Sequence, residues 1–210
     1  MADSFHSDLK NLKGFFTGYF PEIADVSFAT LFMILHEYRP IGNFWVSSLA
    51  YFAICPLAVI LIVLRKNPMD FGLRIGNVRL WAVYSLIFLL IAIPILYFSS
   101  DVSSVARYYG GRNTDLLGYA VRMALYFLGW EFLFRGFMLF GLKKKFKEGS
   151  ILIQMIPFAL LHFGKPEAET ISTIISGIIW GYICYSGNSF WPAYVMHLVI
   201  NVANKALVIY

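Results

Sequence analysis

Charge is scarce in this chain: only 14% of its 210 residues are Asp, Glu, Lys or Arg, against roughly 25% in an ordinary soluble domain. That deficit, with 59% hydrophobic residues and a mean hydropathy of +0.68, excludes a water-soluble globule. Cysteine is scarcer still. Cys55 and Cys184 both lie in apolar segments, far apart and without CxxC or Cys/His spacing. Neither a disulfide framework nor a thiolate zinc site is indicated. Acids are fewer than bases, 12 against 17, giving a net charge of +5. The Lys and Arg residues fall in short clusters between apolar runs, the pattern of membrane orientation and not of nucleic-acid binding. Internal repeats, linkers and low-complexity tracts are absent, so residues 1–210 read as a single integral membrane domain. The opening "MADSFHSDLKNLKGFF" reads as too acidic and polar for a signal peptide.

What the chain has instead is long apolar runs. The pattern predicts an all-α fold, a polytopic transmembrane helical bundle of about six spans. These are residues 43–64, 80–98, 116–142, 150–163, 170–186 and 190–209, with Pro94 as an expected kink. The 150–163 run is short for a full crossing and must be buried among other helices or extend past His162. Residues 1–42 read as an N-terminal segment whose apolar stretch, 26–38, forms an amphipathic or interfacial helix. Loop charges set the orientation. The 65–79 loop holds Arg65, Lys66, Arg74 and Arg79, and the 143–149 loop reads "KKKFKEG". The 99–115 loop has Arg107 and Arg112, and the 164–169 loop only Lys165. The two basic loops are therefore expected in the cytoplasm, and six spans would leave the C-terminus on the far side.

Against this apolar background a few polar residues stand out. "GWEFLFRGF" (129–137) places Glu131 and Arg135 one turn apart inside a span, where each charge costs about 2.5–3.5 kcal/mol by insertion scales. His162 ends "PFALLHFG", and "HLVIN" puts His197 and Asn201 on one face of the last helix. At roughly 1.5 Å per residue, Glu131, His162 and Asn201 each lie about 16–18 Å from the cytoplasmic end of their helices. His197 lies one turn shallower. Each has a structural reading when taken singly: an ion pair, an interfacial histidine, interhelical hydrogen bonds worth on the order of 1 kcal/mol. Their conjunction at one depth points to a site. Arg122 lies near its helix start and reads as snorkelling to the interface. "HEYR" (36–39) lacks the second histidine of a zinc helix, and His6 carries no signal.

"WEFLFR" (130–135), "FALLH" (158–162) and "HLVIN" (197–201) resemble, in order and spacing, the EExxxR, FxxxH and HxxxN motifs of the CPBP family. These are the CAAX-protease and bacteriocin-processing intramembrane proteins, also called type II CAAX endopeptidase-like. "SGIIWGYICYSGNSFWPAYVMH" is similar to the Gly-rich helix and turn before the last motif, and Gly177 and Gly181 form a GxxxG pair suited to close helix packing. The resemblance covers residues 116–204 as a core; upstream only "DFGLR" (70–74) is reminiscent of it. One departure stands out: Trp130 occupies the place of the first glutamate, and Glu131 matches the second. The resemblance implies an intramembrane endopeptidase acting on a peptide or protein at the membrane. Glu131 and His162 would polarise a water, His197 and Asn201 would bind the oxyanion, and Arg135 would keep the glutamate charged. No cofactor is favoured, although Glu131, His162 and His197 are a donor set for zinc with an open position. The alternative, favoured by Trp130, is a catalytically silent member that binds a partner or confers bacteriocin immunity. A transporter is a weaker third reading, since no inverted repeat is visible.

Overall fold

The computed structural model describes residues 2–110 and 115–209, with side chains from Ser7 onward. The side chain of His6 and the whole of Arg112 lie outside the described residues. Among these the chain is all-helical, with nine helices and no strand. They are α1 (Ala2–Gly18), α2 (Phe20–Tyr38), α3 (Phe44–Val63), α4 (Val78–Ser99), α5 (Ser103–Tyr109), α6 (Leu116–Phe146), α7 (Gly149–Leu160), α8 (Glu167–Gly187) and α9 (Trp191–Ile209).

Four of these, α3, α4, α6 and α9, are long and apolar enough to cross a bilayer. A fifth is reached if α1 and α2, bent by 77° at their junction, count as one broken span. The expected six are thus reduced to four or five candidates. The physical reasons are local. α7 has 12 residues, about 18 Å of helix, which falls short of about 30 Å of hydrocarbon. α8 is long enough, but opens with Glu167 and Glu169 and carries Ser, Thr and Gly along its length. Pro94 remains inside α4 without ending it.

The bundle is organised around α6. Of its most apolar window, 72% is buried inside the protein, against 6% for α4. Helix α6 is therefore the core element, whereas α4 is peripheral: Ser85 is its one buried residue, and one face packs on α8 and α9. From α2, Ala24, Asp25, Ala29 and Phe32 are buried, and the helix packs on α3 and α6. Helix α2 thus buries one face against the bundle, whereas α1 is exposed from Ser7 to Gly18.

Two close approaches fix this arrangement. A Cβ at Gly177 would meet Met155 Cγ at 2.8 Å, and one at Gly181 would meet Gln154 Nε2 at 2.8 Å. The GxxxG face of α8 is thus pressed onto α7, and Gln154 ties them further by donating to the Gly177 carbonyl at 3.1 Å. Between α6 and α3, Gly129 lies against the Ser48 backbone, where a Cβ would meet the carbonyl carbon at 2.7 Å. The Ser48 hydroxyl in turn donates to the Tyr126 carbonyl at 2.7 Å.

Gly129→Ala should therefore force α3 from α6 and destabilise by about 1–3 kcal/mol, the usual cost of overpacking. Thermal unfolding in detergent, followed by circular dichroism, would show the lowered Tm. Gly14→Ala, with nothing within 4 Å of its added Cβ, is the control expected not to lower Tm, since Ala favours a helix over Gly.

Candidate active site

Helix α6 positions the first two polar groups. Its α-helical part ends at Glu131, and residues Phe132–Met138 form a π-helical stretch. Such wide turns recur at functional sites because they re-aim side chains without breaking a helix. Glu131 and Arg135 are both fully buried, with Arg135 Nη1 3.0 Å from Glu131 Oε2. The contact is ionic without good hydrogen-bond alignment, because no guanidinium nitrogen of Arg135 makes an aligned hydrogen bond. The cation is held instead by π faces, its Cζ lying 3.7 Å from the Phe158 ring centre and 5.6 Å from that of Trp180.

The other oxygen, Glu131 Oε1, lies 2.5 Å from His197 Nδ1 on α9. An ionised carboxylate can only accept, so Nδ1 carries the proton and Nε2 is the free nitrogen. His197 is stacked on Phe127 at 3.8 Å between ring centres and lies 5.2 Å from Trp180. One turn further along α9, Asn201 Oδ1 accepts from the Tyr119 hydroxyl at 2.6 Å. That bond leaves the Asn201 Nδ2 side as the donor.

His162 follows the last turn of α7, beyond Leu160. Its Nδ1 is 2.7 Å from the Phe158 carbonyl, which again puts the proton on Nδ1 and leaves Nε2 as acceptor. The His162 and His197 rings lie 6.2 Å apart and nearly parallel, and Trp130 stands edge-on to His162 at 5.7 Å. All of the singled-out polar residues except Arg122 therefore come together in one buried cluster. Among the described residues no three His, Cys, Asp or Glu side chains form a group able to hold a metal ion. Glu131, His162 and His197 do not make the zinc set that their types allow.

A cavity of about 500 Å³ opens on this cluster, lined by Trp130, His162, His197 and Asn201 from the motifs. Glu131 does not line it; the carboxylate lies behind His197. A second cavity of about 380 Å³ shares His162 and His197, with Tyr109, Lys165 and Asn201, and runs against Phe88, Ile91 and Ile95 of α4 and Ile175 and Ile179 of α8. The histidines thus border two chambers, the second the more apolar of the two.

Several lining residues were not legible as site residues. Tyr119 and Tyr109 look like ordinary interfacial aromatics in the sequence. Tyr109 donates to Glu169 Oε1 at 2.8 Å, and burial, with that carboxylate beside it, pushes its phenol well up, so it stays a donor. Lys205 had a visible signal: it is a charge in the last span, one turn beyond Asn201.

Residues 112–203 match the family model described as Rce1-like, type II CAAX prenyl endopeptidase. No curated protein and no solved structure shows a significant match to the chain.

Arg135→Met should leave the Glu131 charge buried beside a neutral imidazole and cost about 3–5 kcal/mol, as for one partner removed from a buried pair. Adding Glu131→Gln should recover most of that loss. Chemical denaturation of the two single variants and the double variant measures the coupling, and simple additivity of the losses would contradict the pairing.

Proposed function

We propose, from the match of residues 112–203 to the Rce1-like type II CAAX prenyl endopeptidase model, that the chain is a member of that family and an intramembrane hydrolase. It cuts a peptide bond of a membrane-associated protein or peptide with a histidine-activated water. The observation that carries this reading is the 2.5 Å contact of Glu131 Oε1 with His197 Nδ1, in a histidine that lines the cavity.

Both oxygens of Glu131 are engaged, one by His197 and one by Arg135, and the carboxylate is screened from the cavity. It acts through His197 and does not contact water itself. In the reaction, water lies at His197 Nε2 and attacks the scissile carbonyl carbon. The new C–O bond forms as the water proton passes to Nε2, and Glu131 stabilises the resulting imidazolium through Nδ1–H. Asn201, oriented by Tyr119, donates from Nδ2 to the developing oxyanion. His197 then returns the proton to the amide nitrogen as the C–N bond breaks. His162 accepts at Nε2 and helps hold the attacking water. The more apolar chamber that also borders the histidines suits a lipid-like or apolar part of the substrate. In this reading the basic loops 65–79 and 143–149 face the cytoplasm.

A second reading rests on Trp130. Its indole lies edge-on to His162 and lines the cavity where the family motif begins with a carboxylate. A chamber so altered suits a partner-binding protein without turnover.

A cleavage assay of purified protein in lipid, against a peptide library, separates the two readings. His197→Ala, Glu131→Gln and His162→Ala should each lower kcat by about 10²–10⁴-fold. Asn201→Ala should lower it by about 10²–10³-fold. KM should change little, because the lost interactions form mainly in the transition state. Trp130→Glu should raise activity. Full activity in His197→Ala would overturn the assignment, and silence of every variant, Trp130→Glu included, would favour the partner-binding reading.

A further inference from the structure

The chamber beside the histidines carries a charge that the hydrolytic chemistry does not use. Its lining includes two ammonium groups, Lys165 and Lys205, and no carboxylate among the described residues. The two lysines differ. Lys165 is neutralised by Glu169 at 2.7 Å. Lys205 is 93% buried, being only 7% exposed, and donates to the backbone carbonyls of Tyr109 and Gly110, both at 2.7 Å. Those carbonyls occupy two of its three N–H donors and supply no formal countercharge.

Among the described residues no carboxylate pairs with Lys205; a buried cation so placed is costly inside a membrane protein, and such groups mark ligand or ion pathways. Lys205 lies one turn beyond Asn201 and two beyond His197 on α9, so a peptide lying over the histidines also passes its ammonium group. An extended peptide offers one kind of group to complete that charge, a carboxylate. We infer that Lys205 is an anion-recognition residue of the cavity, which holds a carboxylate of the bound peptide through its third N–H. The inference rests on the peptide-hydrolase reading for the identity of the ligand, not for the presence of the charge. The carboxylate comes from the chain terminus or from an Asp or Glu side chain, and one set of probes separates these sources.

The probes are three pools of dye-labelled octapeptides, randomised over the last four residues. The first has free-acid termini and no Asp or Glu, the second is the same pool amidated, and the third is amidated with one Asp or Glu allowed. Binding to the full chain in lipid nanodiscs is read by fluorescence anisotropy. A charge-assisted hydrogen bond to a buried cation predicts that wild type binds the carboxylate-bearing pool about 10–100-fold more tightly than the plain amide. Preference for the first pool identifies the chain terminus, and preference for the third identifies a side chain. In Lys205→Gln the ratio should fall to about one while affinity for the plain amide is kept, and Lys205→Arg should retain much of it. Equal binding of all three pools by wild type would overturn the inference. So would a Lys205→Gln variant that weakens every pool alike, which would make Lys205 only a strut for the Tyr109–Gly110 carbonyls. Should Lys205→Gln fail to fold, the wild-type ratio and that of Lys205→Arg still decide. Carboxylate preference without cleavage would sustain Lys205 and remove the hydrolase reading; cleavage without preference would do the reverse.

Discussion

A buried ionic chain, Arg135 to Glu131 to His197, is the interaction on which the rest of this structure depends. Its members are almost wholly removed from solvent, and each would be expensive alone in an apolar bundle. Together they are tolerable, since the carboxylate is bracketed by a cation and an imidazole N–H. Replacing such a chain by apolar residues often leaves stability unchanged or improves it, so stability alone gives no reason for it. The cavity into which it delivers an oriented histidine does.

Much of the architecture around the chain serves its placement. The π-helical stretch after Glu131 lets α6 carry both members of the ion pair and continue without a break. Phe158 has two tasks: its ring covers the Arg135 guanidinium, and its carbonyl fixes the tautomer of His162. Helix α7 must end at the right depth for this, and its close packing on Gly177 and Gly181 of α8 holds it there. A helix too short to span the membrane becomes useful because its end delivers His162 to the cavity.

The apolar runs were legible in the sequence because a bilayer demands long uninterrupted hydrophobicity, and α3, α4, α6 and α9 lie where those runs predict. The number of spans was not. A run of apolar residues does not reveal where its helix begins and ends, and α7, with 12 residues, and α8, which opens on Glu167 and Glu169, fall short of the spans their runs suggested. Charges in spans are rare enough to read directly, which is why Glu131, Arg135, His162, His197 and Asn201 were found. Their pairing was not legible: nothing in "WEFLFR" or "HLVIN" says that the carboxylate turns to His197 and away from the cavity. Tyr119 escaped because an aromatic near a helix end has too many ordinary explanations. Lys205 was visible at helical spacing from Asn201, and its meaning emerged only with the cavity.

The central claim is that Glu131 holds His197 in the tautomer that leaves Nε2 free towards the cavity. Nitrogen-15 NMR of selectively labelled histidine in the protein in nanodiscs, assigned by a His197→Asn variant, reads that tautomer directly. The account predicts His197 neutral with its proton on Nδ1, and a change in that signal in Glu131→Gln. A proton on Nε2 in the native protein, or a His197 signal indifferent to Glu131→Gln, would contradict it.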